Sequence, residues 1–448
     1  RLESMFAVGV DEMSWDDLDT THYDWPMVDE VRHYRSVMRE TVDRLITELP
    51  ITLPIGWDSP WWTIIMGIEH ERIHLETSSV LIRQHALKFV KPHPHWQPCK
   101  KTGIAPENQL VTVPAGLVQI GKTIADATYG WDNEYGSHHA EIPSFQASRY
   151  LVSNKEFLSF VEANGYDTDQ YWEPEGLGWL RHTRAQHPTF WVKQDSHWYL
   201  RLMTEVTPMP WDWPVEVNYH EAKAFCNWKT AHDKLPVRLP TEDEWYRLYD
   251  SSNLSDVPAT QLASGNIHLD YYASSCPVNE FKHGDFFDIV GNVWQWTETP
   301  TYPFTGFEVH PHYDDFTTPT FDDRHNLIKG GSWISCGNES LKSSRYAFRR
   351  HFFQHAGFRY VVTETPALMQ GSHYETDKLM SEYAEFHYGD SYFNVPNFPA
   401  TLASIAITAM GNRPAHKALD LGCASGRSTF ELARHFEYVT GVDFSARF

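Results

Sequence analysis

Cysteine is scarce and scattered: five residues in 448, at Cys99, Cys226, Cys276, Cys336 and Cys423, with no C-x-x-C pair. That usage excludes a disulfide framework and predicts a reduced, cytoplasmic protein. Basic charge is also short, with 37 Lys and Arg against 59 Asp and Glu and a formal charge of -22. Such a surface repels phosphate, so neither nucleic acid nor an anionic membrane is an expected partner. There is no apolar run of transmembrane length, no internal repeat and no low-complexity tract, and no signal peptide is expected. The chain opens on Arg1 rather than Met, so a segment upstream of it is expected.

What is present in excess is aromatic and imidazole side chains: 18 Trp, 25 His and an aromatic share of 15%. Many Trp and His between short apolar runs predict irregular structure packed around polar pockets. The length predicts two or three domains. Over residues 25–49 the positions Val28, Val31, Tyr34, Val37, Met38, Val42 and Ile46 recur at three- and four-residue spacing, an amphipathic helix. Residues 53–60 break it, with Asp58 or Ser59 as cap and Pro60 in the first turn of a second helix over 61–89. Two long helices joined by a turn imply a helical bundle, completed by helices upstream. A proline-rich linker follows at residues 91–98. The texture then becomes mixed α+β, with helices expected at 154–164 and 219–232. The expected boundaries are 1–98 for the bundle, 99–365 for the α+β domain, 366–414 for a helical, acidic connection and 415–448 for a strand, glycine turn, helix and strand.

The second helix contains His70-Glu71-Arg72-Ile73-His74-Leu75-Glu76. Residues four apart share a helix face, so His70 and His74 can reach one metal ion. Read as H-E-x-x-H, the stretch is a zinc-peptidase pattern with Glu71 as base. Read as H-x-x-x-H-x-E, it holds two histidine ligands and no base. The third ligand of a large zincin group would fall at Val80, and His85 lies about 16 Å further along a straight helix. Alone, the helix leaves metal binding and a polar core pair equally open.

The middle of the chain resembles the formylglycine-generating-enzyme (sulfatase-modifying factor) fold, which is C-type-lectin-like. The resemblance lies in Val113-Pro-Ala-Gly-Leu-Val-Gln-Ile-Gly121, Trp131-Asp-Asn-Glu134, Val152-Ser-Asn-Lys-Glu-Phe157, Pro214-Val-Glu-Val-Asn-Tyr-His-Glu-Ala222 and Arg238-Leu-Pro-Thr-Glu-Asp-Glu-Trp245. It continues through Gly291-Asn-Val-Trp-Gln-Trp-Thr297, Lys329-Gly-Gly-Ser-Trp333 and Gly357-Phe-Arg359, covering about 250 residues in order. Formylglycine generation needs two late cysteines for copper. Only Cys336 lies near that point, so that activity is not expected.

A helical bundle bearing H-x-x-x-H-x-E ahead of this domain is similar to the iron-dependent sulfoxide synthases of thiol-histidine biosynthesis. The resemblance implies a DinB-like bundle and a non-haem Fe(II) centre held by three histidines, with O2 as co-substrate. It implies oxidative joining of a cysteine sulfur to an imidazole carbon. His70 and His74 match two of the ligands; the third is expected upstream of Arg1, with His33 and His22 as poor substitutes. The implied tyrosine, from the segment between the G-N-V-W-x-W and G-G-S-W motifs, is Tyr313 or, second, Tyr302. Arg349 or Arg350 would meet substrate carboxylates, with a structural salt bridge as the equal alternative.

Asp420-Leu-Gly-Cys-Ala-Ser-Gly426, followed by Asp443 at the next strand end, resembles the first motif of S-adenosylmethionine methyltransferases. Asp420, Gly422, Gly426 and Asp443 would be its cofactor-binding residues, with methylation belonging to a complete parent protein. A methyltransferase in that position points to the ovothiol branch, whose substrates are L-cysteine and L-histidine. The ergothioneine branch, using trimethylhistidine, and a non-catalytic binding module are the rivals; a zinc peptidase is more distant. The resulting expectation is a multidomain chain: an α-helical DinB-like bundle, an irregular α+β domain and the start of an α/β Rossmann-like methyltransferase.

Overall fold

Helix α1 (Val28–Glu48) opens with Asp29 and Glu30 in its first turn, where carboxylates complement the helix dipole. This computed structural model describes residues 25–260, 264–313, 316–367, 377–390, 395–443 and 445. Ser59 caps α2 (Pro60–Gln84), accepting from the Trp61 amide at 3.3 Å, and Pro60 takes the first helical position. The helix stops at Gln84, short of residue 89, and a separate 3-10 turn covers Leu87–Phe89. The expected bundle is not seen among the described residues. α1 buries no side chain, and the buried stripe of α2, formed by Trp62, Glu69, Glu76, Ser79, Val80 and Arg83, faces the domain that follows.

That domain begins with β1 (Leu110–Val113), β2 (Gly116–Ile120), β3 (His138–Ile142) and β4 (Phe145–Ser148). The two expected helices are α3 (Asn154–Glu162) and α4 (Tyr219–Asp233). α3 starts where Ser153 Oγ accepts from the Glu156 amide, and it ends ahead of Asn164, which adopts a left-handed conformation at φ 56°. α4 carries a full capping box, in which Asn218 and Glu221 exchange side-chain-to-amide bonds at 3.0 Å. Next come β5 (Val237–Arg238) and α5 (Glu242–Asp250), β6 (Trp294–Pro300), β7 (His325–Lys329), β8 (Tyr346–Arg349), β9 (Ala356–Gly357) and β10 (Val361–Val362). Two four-stranded sheets result, ordered β1-β4-β10-β5 and β8-β7-β6-β9. Every residue of β6 is buried, so this strand runs through the core. Its Trp296 joins Phe157, Phe160, Phe225 and Phe358 in the main cluster.

The C-terminal part contains α6 (Asp377–Tyr388), α7 (Phe398–Met410), β11 (Lys417–Leu421), α8 (Arg427–Leu432) and β12 (Tyr438–Val442). β11 and β12 pair in parallel from Lys417↔Tyr438 to Leu421↔Val442, which requires the intervening turn and helix to cross over. Among the described residues no helix is long and apolar enough to cross a membrane.

Candidate functional site

The H-x-x-x-H spacing places two imidazoles one turn apart on α2, half-buried His70 and exposed His74, with ring centroids 4.6 Å apart and edge to face. Tyr313, from the segment between β6 and β7, stands against His70. Its hydroxyl lies 3.3 Å from His70 Nε2 and its ring 5.6 Å from that imidazole. An aromatic shelf holds the tyrosine: Trp131 stacks on Phe316 at 4.0 Å, Phe316 lies 5.2 Å from Tyr313, and Trp131 Nε1 donates to the Tyr346 hydroxyl at 2.8 Å. The other candidate tyrosine, Tyr302, is buried in a separate cluster with Phe304, under the Arg345 guanidinium. It takes no part in this site.

Glu71 is exposed, and Glu76 is turned away from the histidines. The Glu76 carboxylate accepts from Trp294 Nε1 at 2.7 Å, Ser332 Oγ at 2.8 Å and Ser335 Oγ at 2.7 Å. Two of these donors belong to the G-N-V-W-Q-W and G-G-S-W motifs, so Glu76 is the joint between helix and domain. Glu69 accepts from Arg72 at 2.6 Å and from the Asn338 amide at 2.9 Å. Ser79 lies 2.7 Å from His355 Nε2, and His355 Nδ1 lies 3.3 Å from Glu216, which also pairs with Arg83. Burial pushes the Glu216 carboxyl up; Arg83 and His355 together outweigh it and hold it at about 2. Apart from Glu76, which entered as the last letter of H-x-x-x-H-x-E, these docking residues went unused in the sequence reading. The signal that could have found them is the polar stripe Glu69, Glu76, Ser79 and Arg83 at helical spacing.

Two imidazoles on one face, one open to solvent, are donors that suit a divalent first-row metal. Among the described residues no third His, Cys, Asp or Glu completes a set. His33 is exposed on α1, and His22 lies outside the described residues. The pair therefore fits as part of a metal's ligand set. One turn beyond His74 a small pocket opens at the same interface, lined by Ile73, Thr77, Trp294, Tyr346, Phe348 and Gln354 together with Glu76 and Glu339. Burial, and then the neighbouring Glu76, push the Glu339 carboxyl well above its ordinary range.

Of the two candidate arginines, Arg350 is committed elsewhere. It donates to Asn326 at 2.8 Å, Glu175 at 2.7 Å and the Asp323 carbonyl at 2.7 Å, which is the salt-bridge alternative. Arg349 follows Phe348 on β8. Tyr346 and Phe348 line the pocket, so strand alternation turns Arg349 to the opposite face.

In the C-terminal part, Gly422 (φ 73°) and Gly426 (φ 79°) take the left-handed conformations of the turn after β11. Asp420 accepts from Thr429 Oγ1 at 2.8 Å, and Asp443 accepts from the Ala424 amide at 2.7 Å. Through that bond Asp443, the carboxylate expected to meet a ribose, ties the turn to the end of β12.

Comparison with known proteins gives a family match over residues 98–364, to the sulfatase-modifying factor enzyme 1-like domain. Hercynine oxygenase of Mycolicibacterium smegmatis is 28% identical over 318 residues, covering 66% of this chain and 71% of its own. Ergothioneine biosynthesis protein 1 of Schizosaccharomyces pombe is 25% identical, over 75% of this chain and 43% of its own. The formylglycine-generating enzyme of Thermomonospora curvata is 25% identical over 42% of this chain and 70% of its own.

Proposed function

The chain belongs to the sulfatase-modifying factor enzyme 1-like family, and from that premise we propose that it is an iron- and O2-dependent sulfoxide synthase, joining the sulfur of L-cysteine to an imidazole carbon of L-histidine. The product is 5-histidylcysteine sulfoxide, the first intermediate of ovothiol synthesis. The observation that carries the reading is the Tyr313 hydroxyl 3.3 Å from His70 Nε2, 243 residues away in sequence.

The reaction balances with one O2 per turnover. The thiol hydrogen and the ring hydrogen leave with one oxygen atom as water, and the second oxygen stays on sulfur. His70 and His74 would hold Fe(II), which supplies O2 activation when bound. Tyr313 holds a proton at Oη within reach of that face of α2 and can release and regain it as the sulfur–carbon bond forms. Glu76 fixes the pitch of the ligand helix against β6. The apolar side chains of the adjoining pocket, Ile73, Trp294, Tyr346 and Phe348, keep water from that side of the histidine face.

The choice of histidine rests on the strand–turn–helix–strand unit of residues 417–442, whose Asp420-to-Gly426 motif resembles a methyltransferase start; S-adenosylmethionine would serve that domain in a complete parent. A second reading has its own support: the relatives named hercynine oxygenase and ergothioneine biosynthesis protein favour trimethylhistidine as acceptor.

One assay tests both. The protein is loaded anaerobically with Fe(II), then given O2 and cysteine with either histidine or trimethylhistidine, and the products are weighed by mass spectrometry. A histidine–cysteine sulfoxide adduct is the expected product. A dominant trimethylhistidine adduct moves the chain to the ergothioneine branch. Oxygen uptake indifferent to either imidazole leaves only thiol oxidation and ends the coupling proposal.

A further inference from the structure

On both sides of Tyr313 its segment is fastened to the domain by one and the same side chain. Asp132 sits in the 3-10 turn Asp132–Glu134 and is buried, 3% exposed. Thr317 Oγ1 donates to its Oδ1, and the His310 amide donates to its Oδ2 at 3.4 Å. Those two anchors bracket Tyr313 in sequence. The His310 end reaches further: its ring lies 4.8 Å from Trp57 and stacks over Trp62 of α2 at 6.2 Å, and its Nδ1 accepts from the His312 amide at 3.2 Å. Its carbonyl accepts from the Tyr313 amide at 3.1 Å. A carboxylate buried this far costs free energy unless both oxygens are used, and here each is spent on one end of the tyrosine segment.

We propose that Asp132 is a positioning residue for the reaction, fixing His310 and Thr317 so that the Tyr313 hydroxyl meets the histidine face of α2. It rests on the reading of Tyr313 as the proton-handling group. The titratable groups that act on the carboxylate include Glu134 on the same turn, itself 3.8 Å from Lys122, and Tyr129; the imidazoles of His310 and His312 sit on the fastened segment. Burial raises Asp132 to about 6, so a proton arriving near that pH occupies one oxygen and takes an acceptor from one anchor.

The test uses the full chain loaded with Fe(II), as Asp132→Asn and Thr317→Val. In Asp132→Asn the amide presents N–H to one of the two donors, and coupling kcat is expected to fall about tenfold or more with KM for both substrates little changed. The wild-type profile is expected to lose rate below about pH 6, a limb that Asp132→Asn removes and Thr317→Val keeps at a lower rate. Hydrogen exchange supplies a readout free of turnover. The peptide over residues 306–313 should exchange faster in both variants, while one over 219–233 stays protected. Unchanged exchange at 306–313 in Asp132→Asn overturns the clamp; loosened exchange with unaltered kcat and acid limb overturns the positioning role. Wild-type protein that never couples the substrates ends the proposed function, and the exchange result still decides the clamp. If Asp132→Asn loses protection everywhere, Thr317→Val and the pH dependence of wild-type exchange carry the decision.

Discussion

Glu76 accepts three hydrogen bonds at 2.7 to 2.8 Å from an indole and two hydroxyls, all buried. Glu76→Ala would strand all three donors, each at about 1–3 kcal/mol. A loss of about 3 kcal/mol or more in denaturant unfolding is the expected outcome, with Glu76→Gln less harmful because its carbonyl still accepts. Gly337 makes a second demand. At φ 61°, an added Cβ would stand 1.8 Å from Arg72 Nη1 and 2.5 Å from Glu69 Oε2. Gly337→Ala therefore combines left-handed strain with displacement of the Glu69–Arg72 pair, and a drop of about 1 kcal/mol or more should register in thermal unfolding. Tyr313→Phe keeps the ring on its aromatic shelf and removes only the hydroxyl. Coupling should fall about a hundredfold while thiol oxidation continues, read as the ratio of sulfoxide adduct to sulfinate; an unchanged ratio would remove Tyr313 from the mechanism.

Helix α2 shows two separate duties on adjoining faces. One face carries His70 and His74; the other carries Glu69, Glu76, Ser79 and Arg83 into the domain, with the Arg83 guanidinium 3.8 Å over the Phe190 ring. Its docking should depend on pH through Glu216. The folded carboxyl sits at about 2, below its usual 4.5. A depressed carboxylate contributes stability above its unfolded pKa and loses it as pH falls toward the folded one. Stability should thus decline between about pH 4.5 and 2, and Glu216→Gln should flatten that part of an acid titration followed by tryptophan fluorescence. Such helix faces are half legible in a sequence. The start of α2 follows from Ser59 and Pro60, and the starts of α3, α4 and α5 follow from Ser153, Asn218 and Thr241, because caps act over three residues. That the polar stripe of α2 docks on the following domain rather than on α1 has no local signature.

For the whole molecule, the histidine pair lies at the rim of the interface and the buried joints lie beneath it. With Fe(II) held on that pair as proposed, its chelation should therefore abolish oxygen uptake while leaving the thermal unfolding midpoint within a few degrees. A large fall would show that metal holds α2 in place. Local sequence was enough for the amphipathic helices, their caps, the turn glycines Gly422 and Gly426, and the ordered motifs of the α+β domain, because propensity, capping and left-handed turns are settled by neighbours in the chain. Only the folded chain decided the partners of particular side chains: Tyr313 against His70, Tyr302 into a separate cluster, Glu76 onto Trp294 and Ser332, Arg350 onto Glu175. The pairings of Tyr313, Glu76 and Arg350 join residues 175 to 256 apart in the chain, and Tyr302 is placed by the packing of its cluster. Partners so far apart are chosen by packing and by the cost of leaving buried polar groups unpaired, and no spacing rule along the chain encodes that choice.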